Sequence, residues 1–219
     1  MTGAQVIGSV VSVNVGEVEP IEWRGRTIHT AIRKRPVDVP LQARALGLAG
    51  DVQGDRRVHG GVDKAVYSYA VEHHPFWRSE LGDAVGPGSF GENLATRGLV
   101  EDEVRIGDRY RVGAALLEVS EPRQPCSTFA ALHRRADLPK VFAAAGWSGI
   151  YFRVIEEGAI AAGDPIAVEQ RGDSRWTVRR VFEWVMGREP LPADLDELVA
   201  EVALARSTAD ALTRRSGAR

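Results

Sequence analysis

Residues 104–120 read VRIGDRYRVGAALLEVS, and this stretch decides the fold class. Its short β-branched and aromatic runs indicate two strands around a Gly107-Asp108 turn and a break at Gly113. Residues 149–170, GIYFRVIEEGAIAAGDPIAVEQ, give two more strands with glycine turns. Short strands at such close spacing predict a β-barrel or a β-sandwich.

The flanking sequence adds strands and places short helices between them. Residues 6–15, VIGSVVSVNV, and 64–70, KAVYSYA, have strand composition, and IEWRGRTIHTAI predicts a hairpin turning at Arg24-Gly25. Pro75 suits the first turn of a helix through PFWRSEL. STFAALHRRA and LPKVFAAAG predict two further helices. The fold class is therefore mainly β with α: a barrel-like domain with peripheral helices.

The hydrophobic period changes near residue 173. Val178, Val181, Phe182 and Val185 follow the i, i+3, i+4, i+7 spacing of one helical face. Residues 191–202 predict a second helix, and STADALTRR a third that begins with a Ser-Thr cap. We expect a β-rich domain over 1–172 and a small three-helix unit over 173–219. About 45 residues are barely enough for independent stability, so this unit should pack on the first domain or on a partner.

Charge and cysteine content exclude several classes of protein. The chain carries 28 Lys and Arg against 30 Asp and Glu, which gives no general attraction to a nucleic-acid polymer. One cysteine excludes an internal disulfide framework. No signal peptide is recognisable, and no apolar run approaches the roughly 20 residues that cross a bilayer. The expectation is a soluble cytoplasmic protein with no membrane partner.

The single cysteine, Cys126, ends the segment EPRQPC. Pro125 biases the residue before it away from the α region, so Cys126 should lie in a loop beyond a strand. Either hydroxyl of the following Ser127-Thr128 pair can cap the next helix. A helix N-terminus and the nearby Arg123 both favour a thiolate, the form that attacks electrophiles or binds soft metals. The alternative is a small, buried, inert cysteine.

A glycine-rich loop at 47–64, GLAGDVQGDRRVHGGVDK, is the second candidate region. The amides of Gly60 and Gly61 can approach an anion. His59 is a candidate proton donor near neutral pH, and Asp51 supplies a carboxylate. The loop matches neither the P-loop nor the dinucleotide-binding pattern. A solvated loop with glycine turns is the alternative.

Two further segments carry polar groups. Asn93 in SFGENLAT offers an amide donor and acceptor. Arg33, Lys34 and Arg35 in IRKRP form three consecutive cations that can hold a phosphate or form a solvated rim.

Together, GLAGDVQGDRRVHGGVDKAVYSY, SFGENLAT and SEPRQPC resemble the signature segments of the MOSC domain, named after the C-terminal part of molybdenum-cofactor sulfurases. The order, the spacing and the trailing helices resemble its YiiM-like branch, from about residue 5 to 215. The resemblance implies a MOSC-type β-barrel with a helical appendage. It also implies that Cys126 is a molybdenum ligand or sulfur carrier.

The resemblance further implies a molybdenum cofactor and reduction of N-hydroxylated small molecules such as N-hydroxylated purine bases. In that interpretation the thiolate of Cys126 binds molybdenum, and His59 or Asp51 supplies protons. A separate electron-donating reductase would be needed. The residues assigned to cofactor binding are Arg33, Lys34, Arg35, Gly60, Gly61, Asn93 and Arg123.

Three other interpretations remain at this point. A thiol hydrolase or transferase could use Cys126, His59 and Asn93 as nucleophile, base and orienting amide. A non-catalytic module could store or pass on the molybdenum cofactor or sulfur. A scaffold with a structural cysteine is the third, and it predicts that Cys126→Ser leaves every activity and every ligand intact.

Overall fold

The computed structural model describes residues 5–52 and 60–217. Within these ranges the chain forms strands, α-helices and two 3-10 turns, at Val62–Lys64 and Val71–His73. The strands are β1 (Gln5–Val15), β2 (Glu19–Trp23), β3 (Arg26–Thr30), β4 (Arg35–Val37), β5 (Leu41–Arg44), β6 (Gly47–Leu48), β7 (Val66–Ala70), β8 (Leu94–Arg97), β9 (Arg109–Val112), β10 (Ala115–Pro122), β11 (Ile150–Glu156), β12 (Gly158–Ile160) and β13 (Pro165–Gln170). The helices are α1 (His74–Leu81), α2 (Ser127–Leu132), α3 (Leu138–Ala145), α4 (Val178–Val185), α5 (Leu195–Ala200) and α6 (Arg206–Gly217).

Seven strands form a closed barrel in the order β13-β9-β10-β11-β7-β8-β1, because β1 also pairs with β13. Strand β4 adds to β1 beyond the ring. Closure removes the unpaired strand edges that an open sheet would expose. The predicted β-barrel with peripheral helices is therefore confirmed. Every residue of β10 is buried, since β10 also contacts helix α4.

One neighbouring pair in the barrel, β7 and β8, is parallel, with Ser68 opposite Leu94. A parallel pair needs a crossover connection, and the 3-10 turn at Val71–His73 and helix α1 supply it. The predicted hairpin is also confirmed, as β2 pairs with β3. At its turn Arg24 has φ 51° and Gly25 has φ 74°, and two positive φ values match the twist of the flanking strands.

The three expected C-terminal helices are present as α4, α5 and α6, and they pack on the barrel. Val178, Leu198 and Leu212 share one hydrophobic cluster with barrel residues such as Leu117 and Phe152. The domain boundary near residue 172 stays a prediction. Across residues 5–52 and 60–217, no helix combines the length and apolar character required to span a bilayer.

A second, aromatic cluster lies between the barrel wall and helices α1 to α4. Its largest fully buried members come from β7, the helices and the loop before β8: Tyr69, Trp77, Phe90, Phe129, Phe142 and Phe182. Tyr69 stacks on Phe90 with ring centroids 4.0 Å apart. Two members of this cluster, Tyr67 and Phe90, line the pocket described next.

Candidate functional site

A pocket opens where β10 ends, between the barrel and helix α2. It brings together Lys34, Asp51, Asn93, Arg123 and Cys126, five of the residues singled out from the sequence. The other lining residues are Thr30, Ala31, Ile32, Val52, Lys64, Tyr67, Phe90, Gly91, Thr128 and Tyr151.

Cys126 is half-buried and lies at the N-cap position of α2, with an extended backbone. Its carbonyl accepts a hydrogen bond from the amide of Phe129 (3.2 Å). The expected cap by Ser127 or Thr128 was wrong: Cys126 occupies the cap position, and no side-chain cap bond is formed. The helix therefore starts one residue earlier than a hydroxyl cap would require, and the thiol is at its first turn.

Arg123 is a buried cation beside this thiol, only 6% exposed. Its guanidinium carbon lies 5.1–5.5 Å from the ring centroids of Tyr67, Phe129 and Phe142. Nη2 is 4.0 Å from Cys126 Sγ. Nη1 is buried and has no hydrogen-bond partner among the described residues. Tyr151 hydrogen-bonds to the guanidinium, but a buried charge is costly unless it is fully paired, so the pocket presents an incompletely satisfied positive group next to its thiol.

On another part of the pocket wall, Lys34 and Asp51 form a buried ion pair. Lys34 Nζ is 2.5 Å from both carboxylate oxygens. The carboxylate also accepts hydrogen bonds from the Gly16 amide (2.9 Å) and Asn93 Nδ2 (2.9 Å). Asn93 Oδ1 in turn accepts from the amide of Tyr67 (3.2 Å). The network ties the start of the glycine-rich loop to strands on both sides of the pocket.

Burial lowers the pKa of Lys34, and the charge of Asp51 opposes that effect. The polar atoms of the Asn93 side chain are engaged in this network. Within the described residues, the Asn93 amide is therefore already engaged and does not serve to orient a histidine.

The three consecutive cations point in different directions. Along an extended chain, alternate side chains face opposite sides. Lys34 accordingly faces the pocket, while the side chains of Arg33 and Arg35 are 49% and 61% exposed. Both pair with Glu19, at 3.6 Å and 2.7 Å. The structure thus brings Lys34 into the pocket and leaves Arg33 and Arg35 at the surface.

The glycine pair of the loop precedes the 3-10 turn at Val62–Lys64. Gly60 is half-buried, and Gly61 has φ 99° at the cap of that turn. Neither residue lines the pocket as described. His59 lies outside the described residues, so its predicted role in proton transfer stays a prediction.

Sequence reasoning did not select Lys64, Tyr67, Thr128 or Tyr151 as site residues. Lys64 Nζ lies 3.5 Å from Glu121 Oε1 and 5.9 Å from the ring centroid of Tyr151. Burial raises the pKa of Tyr151 to about 12, against the opposing effect of the Arg123 charge. Strand alternation could have placed Tyr151 on one face of β11, but not which face meets the pocket.

The carboxyl of Glu92 stabilises a turn next to the pocket. Its buried carboxyl accepts hydrogen bonds from the amides of Gly88 (2.6 Å) and Phe90 (2.9 Å). Burial raises the pKa of Glu92 to about 7. Gly88 packs so closely that a Cβ there would lie 2.4 Å from the carbonyl oxygen of Lys34. This turn therefore fixes the backbone that carries Lys34.

Comparison with known proteins places this chain in a family. A family model described as "MOSC domain" matches residues 55–167, about half of the chain. The protein YflK of Bacillus subtilis is 39% identical over 171 residues, covering 78% of this chain and 77% of that protein. A protein of Gibberella moniliformis named "Reductase" is 35% identical over 191 residues; the match covers 83% of this chain but only 33% of that longer protein.

Among solved structures, YiiM from Geobacillus stearothermophilus superposes with a TM-score of 0.79 at 34% identity. The match covers 95% of this chain and 98% of that one. The resemblance inferred from the three signature segments is thereby confirmed, and the chain belongs to the MOSC-domain family, with the fold of a YiiM protein.

Proposed function

We propose that the protein binds a molybdenum cofactor through Cys126 and reduces N-hydroxylated small molecules, with electrons from a separate reductase. The observation that carries this proposal is the pairing of a half-buried thiol with a buried guanidinium at the same pocket. A thiolate is a suitable ligand for a soft metal, and a buried Arg is a strong partner for an anion such as a phosphate.

The residues present fit such a group. Arg123 Nη1 is buried without a hydrogen-bond partner among the described residues, so an anionic ligand could satisfy it. Lys64 adds further positive charge to the pocket wall, and Lys34, which is paired with Asp51, remains a predicted contact. The cofactor would be held by Cys126 at the metal, with Arg123 and Lys64 as counter-ions, and would supply the two-electron redox chemistry. Gly60, Gly61, Arg33 and Arg35 remain predicted contacts.

The remaining work falls to the protein's own groups. Removal of oxygen from an N–OH group consumes two electrons and two protons and releases water. Asp51 accepts hydrogen bonds from three residues, an arrangement that suits it to hold Lys34 in place, and its proposed proton role would act through that ammonium. His59 remains the second proposed proton donor. The aromatic wall formed by Tyr67, Phe90 and Tyr151 suits a planar base.

Support for a reductase over a hydrolase comes from two sources. The relative in Gibberella moniliformis carries the name "Reductase", although this chain spans a third of it. In addition, Asn93, the orienting amide that the hydrolase interpretation requires, is bonded to Asp51 and to the Tyr67 backbone. The alternative is a protein that carries the cofactor but does not turn over substrate. The following assay distinguishes that carrier from a reductase.

The test uses protein purified from a host that makes the cofactor. Reduced viologen supplies electrons, an N-hydroxylated purine base is the substrate, and the deoxygenated base is measured by chromatography. We expect turnover by the wild type and at least a 100-fold loss in Cys126→Ser with an unchanged melting temperature. Metal-loaded wild type that gives no product would indicate a carrier. Equal turnover by Cys126→Ser would contradict the proposed role of the thiol.

A further inference from the structure

The C-terminal helix α6 reaches the pocket through one buried carboxylate. Glu121 lies in β10, two residues before Arg123, and is 1% exposed. Its Oε2 accepts hydrogen bonds from Ser207 Oγ (2.9 Å) and Thr208 Oγ1 (2.5 Å) in the first turn of α6. We expected these hydroxyls to cap their own helix, but they donate to the barrel instead.

The other oxygen of Glu121 faces a cation of the pocket. Oε1 is buried, accepts no hydrogen bond within the described residues, and lies 3.5 Å from Lys64 Nζ. Lys64 lines the pocket that contains Cys126. The two hydroxyls occupy Oε2, so the carboxylate attracts the Lys64 ammonium through Oε1.

Neighbouring contacts fix this arrangement. The amide of Ala205, just before α6, donates to the Ser120 carbonyl (3.0 Å). Arg153 bonds the carbonyl of Ala203 (2.6 Å) and Asp63 (2.6 Å), next to Lys64 in sequence. The start of α6 and the segment that carries Lys64 are thus anchored to the same part of the barrel.

We propose that Glu121 is a positioning residue: held by Ser207 and Thr208, it keeps the Lys64 ammonium on the wall of the Cys126 pocket, where this cation attracts anionic ligands. Without the two donors, the unsatisfied Oε2 competes for the ammonium, which shifts toward Glu121 and away from the pocket. The proposal rests on the assignment of this pocket to an anionic ligand. Its test needs neither the cofactor nor turnover.

The probe is alkylation of Cys126 by two reagents that differ in charge. Iodoacetate is anionic and iodoacetamide is neutral, and both alkylate the same sulfur. The ratio of their rates therefore cancels the intrinsic reactivity of the thiol and reports the local positive potential. Since Cys126 is the single cysteine of the chain, intact-mass spectrometry follows the reaction without ambiguity.

We expect Lys64→Met to lower the iodoacetate-to-iodoacetamide ratio by about two- to fivefold at low salt, an effect that salt screens. The double variant Ser207→Ala/Thr208→Ala should lower the ratio similarly when Lys64 is present. Added to Lys64→Met, the same pair should change nothing further, because the cation through which it acts is gone.

The matched control removes two hydroxyls of the same helix whose hydrogen bonds, among the described residues, stay within that helix. Thr213 Oγ1 donates to the Ala209 carbonyl, and Ser216 Oγ donates to the Thr213 carbonyl. Thr213→Ala/Ser216→Ala should leave the ratio unchanged. If the Ser207/Thr208 double variant loses its fold, Thr208→Val keeps the shape and removes one donor.

An unchanged ratio in Ser207→Ala/Thr208→Ala, or an equal drop with and without Lys64, would overturn the positioning role. An unchanged ratio in Lys64→Met would overturn it as well. None of these outcomes depends on molybdenum, so this test can fail while the proposed reductase function stands, and the reverse.

Discussion

The two buried cations of the pocket, Lys34 and Arg123, differ in how far the protein itself satisfies their charge. Lys34 is paired with Asp51 at 2.5 Å, and further hydrogen bonds tie that carboxylate to the barrel. Arg123 is equally buried but is surrounded by aromatic rings and the Cys126 thiol, with one nitrogen left unpartnered among the described residues. The fold itself satisfies the first charge, whereas the second is available to a ligand. This contrast separates a structural cation from a binding cation within one pocket.

Disrupting the ion pair between Lys34 and Asp51 should lower the free energy of unfolding the most. Asp51→Asn leaves Lys34 buried without its counter-ion, and loss of one partner of a buried pair costs about 3–5 kcal/mol. Urea denaturation at pH 7 measures the free energy of unfolding.

The matched control for Asp51→Asn is Arg33→Met, which removes the neighbouring cation. Arg33 is half-exposed and pairs with Glu19 at 3.6 Å, so its loss should cost less than about 1 kcal/mol. Equal costs for the two variants would show that Lys34 and Asp51 are no more structural than a surface pair.

Glu92, which bonds the turn packed against the Lys34 backbone, should make the free energy of unfolding depend on pH. Burial raises its folded pKa to about 7 from 4.5. The folded state therefore binds the proton of the Glu92 carboxyl more tightly than the unfolded state does. The contribution of this group to the free energy of unfolding is full below pH 4.5. It is lost as the pH rises from 4.5 to 7. At about 1.4 kcal/mol per pKa unit, the loss is about 3 kcal/mol.

The free energy of unfolding of wild type minus that of Glu92→Gln should thus fall by this amount across that range. The subtraction is needed because His74 titrates in the opposite sense. Burial lowers the pKa of His74 to about 4 from 6.5, so its contribution is lost as the pH falls through that window. A pH-independent difference between wild type and Glu92→Gln would contradict the burial argument.

Among the buried groups changed, removal of the Arg123 guanidinium should have the smallest effect on the free energy of unfolding. Arg123→Met replaces a buried charge by an apolar chain among Tyr67, Phe129 and Phe142. We expect a melting temperature equal to the wild type or raised, corresponding to about 1 kcal/mol or less. The same variant should lose cofactor retention, measured as molybdenum per chain. A severe loss of stability with retained molybdenum would reverse the comparison of the two cations.

The sequence predicted the individual elements well because their signals are local. Alternation, glycine turns and proline positions located the hairpin at Arg24-Gly25, the strand that contains Tyr67, and the helices after Pro75 and Cys126. Closure of the barrel is different, since β1 and β13 pair although they are separated by about 150 residues. No local pattern encodes that register, so strand spacing alone allowed a barrel or a sandwich, and the barrel was predicted from the family resemblance.

The site was predicted residue by residue but not as an arrangement. Lys34, Asp51 and Asn93 were each selected, yet their mutual bonds depend on how β7 and β8 bring the loops together. Tyr151 was missed because its place opposite Glu121 is set by a bulged register between β10 and β11. Side-chain direction within the Arg-Lys-Arg run likewise required the structure.

The central claim, that Cys126 holds a molybdenum cofactor, is tested most directly by elemental mass spectrometry. Molybdenum per chain is measured for the wild type and for Cys126→Ser, both purified from a host that makes the cofactor, with Ser127→Ala as the neighbouring control. The account predicts near-stoichiometric metal in the wild type and in Ser127→Ala, and less than about a tenth of that in Cys126→Ser. Equal metal in all three proteins, or none in any of them, would contradict it.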